Sequence, residues 1–143
     1  MNNKRKMIIL RGNSGCGKTT TGKALQQKFG KGTLLVSQDV IRREMLFVND
    51  GPETVAMPLF ENLHSAYSNQ IYAYYFEMPL EETLRRHALK PNAQEFGEKE
   101  MRSWWNDQDF MHIIPEVSIG KESSLNETVE LIYNHVNGDK NGR

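Results

Sequence analysis

Residues 12–19 read Gly12-Asn13-Ser14-Gly15-Cys16-Gly17-Lys18-Thr19, a G-x-x-x-x-G-K-T spacing, and they follow directly on the apolar run Met7-Ile8-Ile9-Leu10. A strand that feeds a glycine-rich turn and then a helix is the setting in which this spacing holds a polyphosphate. The glycines let successive backbone N–H groups turn inward around an anion. A helix opening near Lys18 adds its unpaired amides and its dipole to the same site. On this reading Lys18 reaches the β- and γ-phosphates, the Thr19 hydroxyl ligates Mg²⁺, and Thr20 belongs to the same nucleotide-binding turn. ATP and Mg²⁺ are the expected cofactors.

The chain has 143 residues, which predicts one domain over 1–143 with enough length to bury a core without disulfide or metal staples. Formal net charge is zero, so no global basic field draws in nucleic acid, and such a partner needs a local patch. The single cysteine, Cys16, excludes an intrachain disulfide and fits a reducing compartment such as the cytoplasm. Inside the phosphate loop it reads either as a small residue that fits the turn or as a thiol activated by a helix N-terminus. No apolar run approaches the ~18 residues of a membrane span. Residues 2–6 are basic, but the apolar run after them is too short for a signal peptide.

Residues 6–11 read as a buried parallel strand. Residues 18–29 read as a helix with Thr21, Leu25 and Phe29 on one stripe and Gly30 as its cap. Residues 33–37, Thr-Leu-Leu-Val-Ser, predict a second short strand, and residues 39–47 a second helix. Beyond the loop Asn49-Asp50-Gly51-Pro52, the residues Val55, Ala56, Leu59, Phe60 and Leu63 recur at helical spacing, with Pro58 as a kink or a first turn. Residues 71–76, Ile-Tyr-Ala-Tyr-Tyr-Phe, carry the strongest strand signal after the first. Pro79 opens a helix through about residue 90, residues 91–97 form a polar loop, and residues 98–106 form a helix bearing Trp104 and Trp105. Residues 115–119 predict a short last strand. Ser124 and Glu127 form a capping box for a final helix with Val129, Ile132, Tyr133 and Val136 on its apolar face. Strands alternating with helices predict an α/β fold with a parallel sheet and a ligand beyond the strands' carboxyl ends.

Asp39 stands two residues past the predicted second strand, and Arg42 follows at i+3. Taken alone the pair reads as a helix-capping aspartate and a solvated arginine. Beside a phosphate loop, the carboxylate can orient or deprotonate an acceptor hydroxyl, and Arg42 can clamp an anionic group on that acceptor. Arg85, Arg86 and Lys90 cluster on the helix after the 71–76 strand, and Arg102 lies on the next one. Phosphoryl transfer needs positive charge delivered by a segment that closes and expels water. The two arginine-bearing helices and their polar loop suit such a lid over about residues 86–106, with Arg86 and Arg102 as its catalytic groups. His87, in the same cluster, reads as structural. Trp104 and Trp105 read as packing residues of the lid, with base stacking as the alternative.

The phosphate loop, the Asp39-x-x-Arg42 pair and the basic lid together resemble the small P-loop kinases of the polynucleotide-kinase and zeta-toxin type. Arg86, Lys90 and Arg102-Ser103-Trp104 resemble the lid pattern of 5′-hydroxyl polynucleotide kinases. The stretches Val36-Ser37-Gln38-Asp39-Val40-Ile41-Arg42-Arg43-Glu44-Met45 and Tyr72-Ala73-Tyr74-Tyr75-Phe76 are similar to bacterial ATP-binding kinases of this kind. The resemblance implies a three-layer P-loop kinase-like sandwich. It also implies transfer of the ATP γ-phosphoryl group to a hydroxyl on a small molecule, a nucleotide or a nucleic-acid 5′ end. In that scheme Lys18, Asp39, Arg86 and Arg102 are catalytic and Asp39 with Arg42 binds the acceptor.

One departure stands out. Kinases of this type carry a further strand beside the first, ending in the acidic Walker B residue that supports magnesium. Here only His64-Ser65-Ala66-Tyr67-Ser68-Asn69-Gln70 separates the 59–63 helix from the next strand. That polar stretch is roughly thirty to forty residues short of the usual crossover, so the central Walker B strand is absent from the chain as it stands. Three arrangements account for this. A stretch has been removed near residues 64–69, the natural chain is a degraded kinase, or the 71–76 strand takes the place of the missing one with Glu77 as the magnesium acid. A non-catalytic ATP-binding module is accordingly the alternative function.

Overall fold

The strand Ile71–Glu77 (β2) sets the architecture, because its five residues from Tyr72 to Phe76 are all buried. A strand buried on both faces is what a parallel sheet between helices demands. In the computed structural model, which describes residues 5–40, 44, 65–67 and 70–138, β2 is the middle of three parallel strands. Met7–Gly12 (β1) lies on one side and Glu116–Gly120 (β3) on the other. The helices are Lys18–Phe29 (α1), Gln38–Val40 (α2), Leu80–Ala88 (α3), Glu98–Ser103 (α4) and Leu125–Gly138 (α5). The register pairs Gly12 with Phe76 and Glu77 with Gly120, so all three strands end at one edge. That edge is where an open α/β sheet takes its ligands.

Alternation along the strands splits the core in two. Tyr72, Tyr74, Phe76 and Ile119 face Leu25 of α1 and Val129, Ile132 and Val136 of α5. Ile9 and Ala73 face Met111 and Ile114. The phenol of Tyr74, fully enclosed, reaches Nδ1 of His135 at 2.8 Å. The predicted stripe of α1 is seen in the burial of Thr21 and Leu25, and in the Phe29 ring against Tyr133 at 4.8 Å. At the start of α5 the Ser124 N–H donates to Glu127 at 2.8 Å, and the Glu127 N–H donates to the Ser124 hydroxyl at 3.2 Å. The Ser124 N–H first, and the Ser124 hydroxyl second, hold the Glu127 carboxyl below the usual carboxylate range.

The expected strand over residues 33–37 is not formed. Those residues run without ladder bonds, and Leu34 and Val36 are 83% and 58% exposed. The stretch meets α1 at two points: the Gln26 amide donates to the Thr33 carbonyl at 3.0 Å, and Leu35 Cδ1 lies against Gly22. Branched apolar residues make a strand only where another strand completes the ladder. Among the described residues no strand lies on the outer edge of β1. The helix expected over 98–106 stops at Ser103. The helix expected over 39–47 is seen as Gln38–Val40, and Arg42 and the helical pattern from Val55 to Leu63 lie outside the described residues. Among the described residues no helix is long and apolar enough to cross a membrane.

Candidate functional site

The turn between β1 and α1 has the backbone its sequence demands. Gly12 has φ 142° and Gly15 has φ 82°, a region that side chains rarely tolerate. Space forbids a side chain there as well. A Cβ on Gly12 would sit 2.8 Å from the Cys16 sulfur and 2.9 Å from the Phe76 carbonyl oxygen. One on Gly15 would sit 2.8 Å from the Thr83 carbonyl oxygen of α3. Gly17, with φ 101°, is the N-cap of α1, so the helix begins at Lys18 with its dipole aimed into the turn.

Lys18 bends back over the loop it follows. Its ammonium donates to the carbonyls of Gly12 at 2.5 Å and Asn13 at 2.8 Å, with the Cys16 sulfur at 3.4 Å. Thr19 and Thr20 are exposed on the first turn of α1. Cys16 is 1% exposed and packs in the core with Leu25 and Phe76. Its place is therefore that of the small, loop-fitting residue.

Among the described residues Arg86 reaches this loop from α3. Its Nη1 donates to the Cys16 carbonyl at 3.3 Å, and its Nε donates to Glu82 at 2.7 Å. Glu82 takes two further bonds from Arg85, both at 2.8 Å. Arg85 first and Arg86 second hold its carboxyl down at about 2, well below its ordinary 4.5. Glu82 went unnoticed in the sequence, although its i,i+3 and i,i+4 spacing to the two arginines is legible there. Arg102 stands on α4 and pairs with Glu98 at 2.6 Å, half exposed, and no hydrogen bond joins it to the loop. Asp39 is exposed on α2.

A lid is expected over about residues 86–106, and the chain meets the 12–19 loop at both ends of that stretch. At one end α3 brings Thr83 and Arg86 against Gly15 and Cys16. At the other, the Asn13 side chain donates to the Asn106 carbonyl at 2.6 Å and accepts from the Asn106 N–H at 2.9 Å. His87 is structural, as expected. It is 5% exposed, stacks on Phe96 at 4.4 Å, and donates from Nε2 to the Phe96 carbonyl at 2.8 Å. Trp104 is half exposed with its ring 5.1 Å from Phe96. Trp105 lines an open groove of about 610 Å³ at the carboxyl ends of β2 and β3, together with Glu77, Pro79, Lys121 and Glu122.

Glu77 ends the strand beside β1, but its carboxylate already accepts from Ser118 at 2.7 Å and Gln108 at 3.2 Å. Among the described residues no group of three or more His, Cys, Asp or Glu could hold a metal. The Thr19 hydroxyl, exposed on the first turn of α1, is an oxygen donor of the kind that magnesium shares with phosphate oxygens.

The three-stranded parallel sheet and its helices form an α/β fold that solved structures share. A gluconokinase from Sinorhizobium meliloti 1021 superimposes with a TM-score of 0.58 at 12% identity, over 96% of this chain and 94% of that one. An uncharacterized protein from Eubacterium ventriosum ATCC 27560 superimposes with a TM-score of 0.50 at 10% identity, over 94% of this chain and 99% of that one. Identities this low establish a kinase-like α/β fold and leave the reaction to be argued from the site. No family model matches the sequence, and no curated protein does.

Proposed function

We propose that the chain is an ATP-dependent phosphotransferase that moves the γ-phosphoryl group to an acceptor hydroxyl. The observation that carries this reading is the Gly12–Gly15–Gly17 turn of positive φ, closed over by Lys18 and touched by Arg86, at the carboxyl edge of a parallel sheet. Such a turn presents amides to an anion, and the two cations beside it suit a triphosphate.

The residues divide the work. Residues 12–20 bind the triphosphate, with Lys18 exchanging its loop carbonyls for phosphate oxygens. Thr19 would hold Mg²⁺, which when bound supplies positive charge to the phosphate oxygens. Asp39 takes the proton from the acceptor hydroxyl as its oxygen bonds to the γ-phosphorus. The bond from that phosphorus to the bridging oxygen breaks, and ADP leaves with the electron pair. Arg42 positions the acceptor. Arg86, already at the loop, stabilises the charge on the transferring group, and Arg102 joins it when the lid closes. A neutral chain without a disulfide suits a cytoplasmic enzyme acting on a small alcohol or nucleotide more than on long nucleic acid.

A second reading is a non-catalytic ATP-binding module. It is favoured by one observation: only the polar residues 64–70 separate the 59–63 helical pattern from β2, too few for a further acidic strand with its crossover. Incubation with γ-labelled ATP, Mg²⁺ and pooled hydroxyl acceptors separates the two. Labelled product supports the phosphotransferase. Tight ATP binding without labelled product supports the module.

A further inference from the structure

We infer that Asn13 is a positioning residue that couples the state of the phosphate loop to the lid. Three observations meet at this residue. Its carbonyl accepts the Lys18 ammonium at 2.8 Å. Its side-chain amide makes a reciprocal pair with the Asn106 backbone, at 2.6 and 2.9 Å, that imitates one rung of a strand ladder. Asn106 begins the arm by which the lid returns to β3, and that arm is pinned again three residues on. There Arg11 donates to the Asp109 carbonyl at 2.9 Å, and the Asp109 N–H donates to the Tyr75 hydroxyl at 3.2 Å.

The consequence follows from geometry. The phosphate loop cannot rearrange at Asn13 without moving the partner of Asn106. A lysine that leaves the Asn13 carbonyl for a phosphate oxygen releases that peptide, and the change is delivered through the amide to the lid arm. The Arg11 and Tyr75 contacts fix the far end of residues 106–109, so displacement at Asn106 turns the arm about Asp109 rather than sliding it. The outgoing arm has its own contacts at Gly15 and Cys16, so the lid is held at both ends by the loop it covers. Asn13 touches no reacting atom in this scheme; it acts through Asn106.

The contact uses the side chain of Asn13 but only the backbone of Asn106, and that asymmetry supplies the test. Amide hydrogen exchange is followed in the full chain, in Asn13→Ala and in Asn106→Ala, with and without MgATP. Without nucleotide, exchange in residues 104–110 is expected to quicken by about tenfold in Asn13→Ala and to stay at the wild-type rate in Asn106→Ala. Unchanged amides in β1, β2 and β3 show that the variants are folded. Equal rates in Asn13→Ala and wild type, or equal losses in both variants, overturn the latch. The nucleotide arm alone rests on the phosphotransferase reading. MgATP is expected to slow exchange in residues 89–105 of the wild type and to do so at least threefold less in Asn13→Ala; equal slowing overturns the coupling. If calorimetry finds no MgATP binding to the wild type, the phosphotransferase reading falls, while the nucleotide-free comparison still decides the latch.

Discussion

The Arg86 guanidinium donates to the Cys16 carbonyl of the phosphate loop at 3.3 Å while Glu82 holds its Nε at 2.7 Å. An arginine fixed this way is aimed before any ligand arrives, which is what electrostatic stabilisation of a transition state requires. Arg86→Ala is therefore expected to lower the rate of phosphoryl transfer by about 10²–10³-fold with a smaller effect on ATP affinity. Arg86→Lys should recover little of the loss, because an ammonium cannot serve Glu82 and the loop at once. Steady-state kinetics with a transferred label measure both variants. A wild-type rate in Arg86→Ala would remove Arg86 from the chemistry.

Lys18→Ala should abolish ATP turnover and leave the fold intact. The lysine closes carbonyls of its own loop, at Gly12 and Asn13, and is only partly buried, so water can replace its bonds. Circular dichroism and thermal melting report the fold, and ATP titration reports the site. Strong destabilisation with retained ATP binding would show that the lysine serves the turn rather than the phosphate.

Asp39→Asn should impair transfer more than ATP binding. The side chain stays the same size and loses the charge that accepts a proton. Its place on the short helix α2, exposed to solvent, leaves it accessible to an acceptor. A transfer rate equal to the wild type would remove Asp39 as the base.

Elements with a strong period were legible before any coordinates. The 18–29 helix, the 71–76 strand and the Ser124–Glu127 box need only their own residues and a sheet to pack on, and each is found where the pattern put it. Residues 33–37 were misread because a strand is completed by its neighbour, and propensity carries no information about the neighbour. At the site, the positive-φ glycines and the approach of Arg86 follow from the motif and from the helix after β2. The Asn13–Asn106 pair was invisible, since it joins a side chain to the backbone of an aperiodic loop 93 residues away. Glu116 was likewise hidden, since a carboxylate inside the predicted 115–119 strand gives no sign of its partners, yet its side chain is 1% exposed.

Stability should fall on acidification below the ordinary carboxylate range. The Glu82 carboxyl is depressed from 4.5 to about 2, and those of Glu100 and Glu127 are lowered by N–H groups at their helix starts. A group whose folded pKa is depressed contributes stability that is complete above its unfolded value and is lost as pH falls through the folded one. For Glu82 that window runs from 4.5 down to about 2. Thermal melts across it should show a shallower fall in Tm for Glu82→Gln than for the wild type. Parallel slopes would mean that the Arg85 and Arg86 contacts contribute nothing to folding.

Arg11 and Glu116 tie β1 to β3 across the middle strand, and removing one partner should cost far more than removing both. Nη1 of Arg11 lies 3.0 and 3.1 Å from the two Glu116 oxygens, and the Met111 N–H donates to one of them at 2.6 Å. With Glu116 almost wholly enclosed, Glu116→Leu leaves Arg11, itself 19% exposed, with only the solvent-facing Asp109 carboxylate at 3.2 Å as counter-charge, and leaves Met111 without its acceptor. Breaking a buried pair from one side typically costs about 3–5 kcal/mol, and a matched apolar replacement of both partners costs much less. Urea unfolding of Glu116→Leu, Arg11→Met and the double variant Arg11→Met, Glu116→Leu should therefore show strong non-additivity, with the double variant more stable than either single one. Additive losses would mean that the two charges are solvated separately and that the sheet is held by its apolar faces alone.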